Sequence, residues 1–282
     1  MSGKVCVVTG ATSGIGEVTA ARLSADGART ILVVRSRDKG ERIASAIRAK
    51  GGQAELVVAD LASLADVRRA AQEILSACPR LDVLVNNAGA IFMARTLTAD
   101  GLESTFAVNH LAPFLLTNLL LGRLRESAPA RIVNVASRAH RRSGIDFDDL
   151  ERKKSYKGFN AYAQSKLCNI LFTYELARRL EGTRVATNCL HPGVIASGFG
   201  KNQPGLFALG ARIVAPLLTT AEDGARTSLF LAESKDIEGV SGKYFDSDTR
   251  EIRSSAVSYD VSAQKRLWEI SEKMVGLTPA SA

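Results

Sequence analysis

KVCVVTGATSGIG, residues 4–16, decides how the rest of the chain is read. It opens with an apolar run, KVCVVTG (4–10), of the kind expected of a strand buried on both faces. It then passes Gly10, Gly14 and Gly16 in a GxxxGxG spacing and enters GIGEVTAARLSADG (14–27), which reads as a helix ended by a glycine. A glycine-rich turn carries meaning in this context, because glycines let the backbone bend sharply and approach a pyrophosphate. The helix that follows offers free N–H groups and a positive dipole end. Gly10, Thr12, Ser13, Gly14, Ile15 and Gly16 are therefore candidate phosphate contacts, with a plain tight turn as the competing reading.

Outward from this stretch the rhythm repeats. Strands are expected at 30–35, 54–60, 81–89, 131–137, 183–190 and 241–246, and helices at 38–50, 63–77, 101–126 (bent near Pro113) and 160–181. Val/Ile/Leu-rich strands alternating with helices imply a parallel sheet covered on both faces, a doubly wound α/β architecture. No repeat, low-complexity tract or Pro/Ser-rich linker divides the chain, so residues 1–282 read as one domain. Two long loops interrupt the rhythm at 138–159 and 192–220, where doubly wound sheets bind ligands.

Composition narrows the function classes. With 282 residues, 46% of them hydrophobic, the chain can bury a large core. Its four cysteines form no CxxC pair and it has only three histidines, which argues against a zinc site or a disulfide framework. Cysteines in apolar runs fit a reducing compartment, and the expected location is cytoplasmic. The start, MSGKVCVVTG, is not a signal peptide, and the longest apolar run, LAPFLLTNLLLG (111–122), is too short for a membrane span. The net charge is +8, with Arg138, Arg141, Arg142, Arg152, Lys153, Lys154 and Lys157 gathered together. No aromatic platform or nucleic-acid motif accompanies them, so no nucleic acid is expected. Such a rim would instead draw in a phosphorylated cofactor or an anionic membrane surface.

Two further features bear on chemistry. In dinucleotide-binding folds an acidic residue about twenty positions beyond the glycine turn binds the ribose hydroxyls of NAD. Here Arg35, Ser36 and Arg37 occupy that region, and arginine would form charge-assisted hydrogen bonds with a 2′-phosphate, favouring NADP(H) over NAD(H). In NAYAQSKLCN (160–169), Tyr162 and Lys166 are four residues apart and share one helix face, where an ammonium would lower the phenol pKa. An incidental pair is the alternative.

TGxxxGxG, NNAG (86–89), Asn109, Ser137, Tyr162-x-x-x-Lys166 and Pro192-Gly193, in that order, resemble the short-chain dehydrogenase/reductase family over essentially the whole chain. VNHLAPFLLTNLLL (108–121), DFDDL (146–150), AYAQSKLCNILFTYELARRL (161–180), LHPGVIASGFG (190–200) and RLWEISE (266–272) are similar to its retinol dehydrogenase and WW-domain oxidoreductase group. The opening residues lead straight into the first strand, so neither the membrane anchor of many such dehydrogenases nor a WW domain is expected. The resemblance implies a single Rossmann domain with a seven-stranded, mostly parallel sheet. It implies hydride transfer between NADP(H) and a lipophilic ketone, aldehyde or alcohol. Tyr162 would be the acid/base, Lys166 its tuner and a ribose contact, Ser137 the carbonyl anchor and Asn109 a water-holding relay member. Asp60 and Leu61 would contact the adenine, Asn87, Ala88 and Gly89 the adenosine ribose, and Pro192, Gly193, Ile195 and Ser197 the nicotinamide side.

The apolar stretch 198–218 would form the substrate loop, or a subunit or membrane contact. A homodimer through Leu167, Ile170, Leu171 and Tyr174 is expected, unless the loop at 138–159 blocks that face. No metal is implied. His110 and His191 read as packing residues. The alternative function is an NADP(H)-binding sensor with little catalytic activity.

Overall fold

The computed structural model describes residues 1–193 and 220–278. Strands β1 (Val5–Thr9), β2 (Arg29–Val34), β3 (Gln53–Val58), β4 (Val83–Asn86), β5 (Ala130–Val135), β6 (Val185–Leu190) and β7 (Tyr244–Phe245) form one parallel sheet in the order β3-β2-β1-β4-β5-β6-β7. The helices are α1 (Gly14–Ala25), α2 (Arg37–Ala49), α3 (Leu64–Ala77), α4 (Ser104–Glu126), α5 (Gly158–Arg179), α6 (Ala221–Glu233) and α7 (Val261–Val275). This is the doubly wound, seven-stranded architecture that the strand–helix rhythm predicts.

The period of two along each strand sorts its side chains between two cores. Val5 and Val7 of β1 join Ile31, Val33 and Leu84 on the face covered by α3, α4, α5 and α7. Cys6 and Val8 join Leu32, Val34 and Val85 on the face covered by α1, α2 and α6. Both faces of β1 are thus apolar, and each fully buried Val or Leu contributes about 1.5–3 kcal/mol of burial.

Three features depart from the sequence expectations. Helices α6 and α7 were not anticipated. Their start signals were present nonetheless, because the Thr220 side chain accepts the Asp223 N–H at 3.1 Å and Asp260 accepts the N–H of Ser262 at 2.8 Å. The expected bend near Pro113 is a π-helical turn over Ala107–Leu111, inside α4. Proline has no N–H to offer the carbonyl of Asn109 four residues earlier, so the regular ladder cannot run through this point. Finally, the 23-residue helix α4 does reach the length and apolarity of a membrane span, although the longest uninterrupted apolar run in the sequence is too short. Of its most apolar window 67% is buried within the fold, as befits a core helix.

The face of α5 that could have received a second subunit is closed by the chain itself. Leu167, Ile170 and Leu171 are wholly buried and Tyr174 nearly so. Leu267 and Trp268 of α7 join Leu167 and Leu171 in one core, and the Arg179 guanidinium lies 4.2 Å from the Trp268 ring centroid. Leu150 of the loop at 138–159 belongs to the same core, with Ile145 and Phe147 packed against it, so that loop shares in covering the helix.

Candidate active site

In this strand order the connections leave β1 and β4 in opposite directions, and a crevice opens at their carboxyl ends. The glycine turn sits there. Gly10 has φ +70°, and its N–H donates to Val33 O at 2.9 Å. The turn is pinned to NNAG: Thr9 Oγ1 accepts the N–H groups of Asn87 (3.1 Å) and Ala88 (3.0 Å), and Asn87 Nδ2 donates to Thr9 O at 2.9 Å. A methyl group at Gly16 would lie 2.4 Å from both Asn87 Nδ2 and Gly10 O. Gly16→Ala is therefore expected to push the turn apart. Cofactor affinity should fall at least about tenfold by fluorescence titration, with stability down by roughly 1–3 kcal/mol.

The end of α1 is open, unlike those of α2, α3 and α6. Ser36, Ser63 and Thr220 cap α2, α3 and α6 with their side chains, but Ser13 makes no side-chain cap on α1. Its first N–H groups are left to face the crevice beside Thr12 and Ile15, as a phosphate site requires. Arg35 and Arg37 are exposed at the end of β2, next to the glycine turn, and neither forms an ion pair among the described residues. Asp60 spends one carboxylate oxygen on the Ala62 N–H (3.0 Å), while Leu61 and Ala88 line a narrow cleft with Thr9. The turn, the arginines and the open helix end fit a phosphorylated dinucleotide.

The second half of the crevice gathers the Tyr–Lys helix and β5. Lys166 is buried, with its Nζ donating to Val135 O at 2.9 Å and lying 5.7 Å from the Tyr162 ring centroid. A methyl group at Gly89 would come within 3.2 Å of this Nζ, so NNAG and the lysine meet. Burial lowers the Lys166 ammonium from 10.5 to about 8. The Tyr162 phenol is hydrogen-bonded to the Ser137 side chain. Burial pushes the phenol above its usual value, and the Ser137 hydrogen bond works against that rise.

Asn109, in the π turn, clamps the chain after NNAG: its Oδ1 accepts the Ala90 N–H at 2.7 Å and its Nδ2 donates to Ala90 O at 2.8 Å. The same Nδ2 donates to Ser165 Oγ (2.9 Å), which in turn donates to Tyr162 O (2.8 Å). Asn109 thereby ties α4 to the tyrosine turn of α5.

Pro192 and Gly193 leave β6 at this same edge, whereas Ile195, Ser197 and the apolar stretch 198–218 lie outside the described residues. His110 is a packing residue: it is buried among Phe106, Phe114 and Phe172, its Nε2 meets Ser271 Oγ at 2.8 Å, and burial lowers it to about 3. His191 is likewise buried, is lowered to about 4, and accepts the Gly193 N–H on Nδ1. Among the described residues no cluster could hold a metal.

Two residues near the site escaped the sequence reading. Phe159 is exposed beside Tyr162, with ring centroids 6.4 Å apart, and Arg142 lies 6.0 Å over its ring. The signal was its position three residues before Tyr162, on the same helix face. His140 is wholly buried three residues after Ser137.

The family model described as short chain dehydrogenase matches residues 4–204. Retinol dehydrogenase 14 of Mus musculus is 47% identical over 294 residues, covering 98% of this chain and 87% of that protein. Retinol dehydrogenase 12 of Mus musculus is 43% identical over 277 residues, with 98% and 87% covered. Among solved structures, an uncharacterized protein from Mycobacterium paratuberculosis aligns with a TM-score of 0.79 at 33% identity, over 99% of this chain and 96% of the other. A short chain dehydrogenase from Burkholderia cenocepacia J2315, solved in complex with NADP, aligns with a TM-score of 0.70 at 28% identity over 87% and 96%. With the glycine turn, the Ser–Tyr–Lys crevice and these matches together, the chain belongs to the short-chain dehydrogenase family, within its retinol dehydrogenase group.

Proposed function

We propose that this protein is an NADP(H)-dependent oxidoreductase acting between a lipophilic ketone or aldehyde and its alcohol, with Tyr162 as general acid/base. The observation that carries this reading is the Tyr162 phenol, hydrogen-bonded to Ser137 and backed by Lys166 at the carboxyl edge of the sheet. When bound, the nicotinamide supplies or takes up the hydride at the carbonyl carbon. Ser137 Oγ accepts the Ala139 N–H at 3.2 Å, so its own proton is available to the Tyr162 phenol or to the substrate oxygen. Tyr162, raised by burial, stays protonated near neutral pH and hands its proton to that oxygen as negative charge develops. Lys166, charged below about pH 8, favours the phenolate left behind and reaches toward the ribose side at Gly89. Asn109, whose carbonyl cannot receive an N–H from Pro113, would hold the water that returns the proton. Alcohol oxidation needs the phenolate, so its rate should climb with pH.

NADP(H) is favoured because Arg35 and Arg37, exposed and without an ion pair among the described residues, stand where an acid would serve NAD(H). Replacing both with Ala should raise the KM for NADPH roughly 10- to 100-fold and leave that for NADH unchanged, the value of one or two charge-assisted hydrogen bonds. A lipophilic substrate is favoured by Met93 and Phe159, 43% and 42% exposed at the lip of the Tyr162 site. The test is loss of reduced-nicotinamide absorbance with NADPH and NADH over a panel of lipophilic aldehydes and ketones, retinal and steroids included. Tight cofactor binding with no turnover on any member would overturn the enzymatic reading.

A further inference from the structure

Ser137 and Tyr162 sit on different elements, and their meeting depends on how the turn after β5 is held. Ser137 begins a 3-10 turn over Arg138–Arg142. Its carbonyl is approached twice by one residue: the His140 N–H at 3.2 Å and the His140 Nδ1 at 2.6 Å. On the far side of the same ring, the Ser255 N–H donates to His140 Nε2 at 3.1 Å. A backbone N–H can only donate, so Nε2 carries the lone pair. The carbonyl of Ser137 can only accept, so Nδ1 carries the proton. Both ring nitrogens are thus committed and the tautomer is fixed. The ring is wholly buried, edge-on to Tyr244 at 5.1 Å.

The tie continues into the helix that bears the tyrosine. Ser254, next to Ser255, shares a 2.8 Å hydrogen bond through its Oγ with the Tyr174 hydroxyl, and a 2.6 Å bond with Ser258 Oγ. Tyr174 lies on α5, twelve residues beyond Tyr162. The serine turn and the tyrosine helix are therefore joined by the direct Ser137–Tyr162 hydrogen bond and, separately, through His140, the Ser254–Ser255 pair and Tyr174.

We propose that His140 is a positioning residue: locked with its proton on Nδ1, it holds the Ser137 carbonyl so that the Ser137 hydroxyl faces the Tyr162 phenol. The inference rests on the roles given above to Ser137 and Tyr162 and adds a residue that touches neither substrate nor cofactor. It requires a donor at Nδ1 and not merely a ring-sized filler. Leucine in this place fills volume without donating, while asparagine puts an N–H donor near the place of Nδ1 and has no atom at Nε2.

The test compares wild type, His140→Leu and His140→Asn in the full chain. Three readouts are taken: kcat and KM, the ring ¹⁵N shifts of His140, and the ionised fraction of Tyr162 near pH 10 by ¹³Cζ-tyrosine NMR. The five tyrosine signals are assigned with Tyr162→Phe. Expected are ¹⁵N shifts of the Nδ1–H form, and a kcat reduced roughly 10- to 100-fold in His140→Leu with KM for the cofactor unchanged. The Tyr162 ionised fraction should also be smaller in His140→Leu, because the opposing Ser137 bond is weakened. His140→Asn should recover both kcat and the tyrosine signal toward wild type even where its melting temperature is lowered. A proton found on Nε2, a His140→Leu enzyme with wild-type kcat and tyrosine titration, or equal losses in both variants that track stability would each overturn the proposal. The NMR readouts need no turnover, so an inactive wild type would count against the proposed reaction and leave the positioning inference to be decided by the tautomer and the tyrosine.

Discussion

Tyr162→Phe is expected to lower kcat for carbonyl reduction by about 10²–10⁴-fold, the worth of a positioned proton donor. KM for NADPH should stay within about threefold and the melting temperature within about 2 °C, since only the hydroxyl is removed. The reason lies in the environment of the phenol. Burial pushes it above its usual pKa, so at neutral pH it holds a proton and serves as an acid, with its hydroxyl hydrogen-bonded to Ser137. Phenylalanine keeps the ring packing beside Phe159 and removes the proton source. Near wild-type turnover in steady-state assays would refute the acid/base assignment.

Lys166→Met should separate activity from stability. Turnover is expected to fall by about 10²-fold or more with the loss of the cation behind Tyr162. Stability at pH 7 should nevertheless rise. The folded-state value of about 8 lies below the ordinary 10.5, so between these values the unfolded chain binds the proton that the folded protein gives up. The stabilisation linked to this group is complete above pH 10.5 and is lost as pH falls toward 8, which leaves the native protein carrying a buried charge at neutrality. Methionine removes that burden at the cost of about 1 kcal/mol for the hydrogen bond to Val135 O. A net gain of roughly 1–2 kcal/mol would appear as a melting temperature about 2–8 °C higher at pH 7. The difference should shrink as pH is raised from 8 toward 10.5. A variant less stable than wild type across this range would show that the lysine is held mainly for its hydrogen bond. In wild type, the reductive kcat should be flat below about pH 8 and decline above it as Lys166 loses its charge.

Periodicity made most of the fold legible. The central strands of the sheet are apolar on both faces, and an apolar run between turn residues reads the same in sequence as in space. The two missed helices, α6 and α7, follow the long stretch 192–220 and carry mixed faces, so their caps at Thr220 and Asp260 were their clearest marks. The candidate site divides in the same way. Residues set by backbone geometry, such as Gly10 and Gly16, are visible because no larger side chain fits where Asn87 and Ala88 approach. Residues whose work depends on partners far away in sequence are not visible. His140 is 115 residues from the Ser255 N–H that fixes its tautomer, and no local pattern announces that contact.

The sequence by itself determined the alternating strands and helices, the glycine turn at the end of β1, the Tyr162–Lys166 pair on one helix face, and the lack of an acid at the end of β2. Each follows from local rules: residue size at a turn, a period of two or 3.6, and charge. The tertiary structure alone decided that α7 closes the face of α5 that a second subunit could have used. It decided as well how deeply the Tyr162 phenol is buried, which raises it above its usual value. Desolvation and packing depend on everything that surrounds a group, and its neighbours in sequence are only a small part of that.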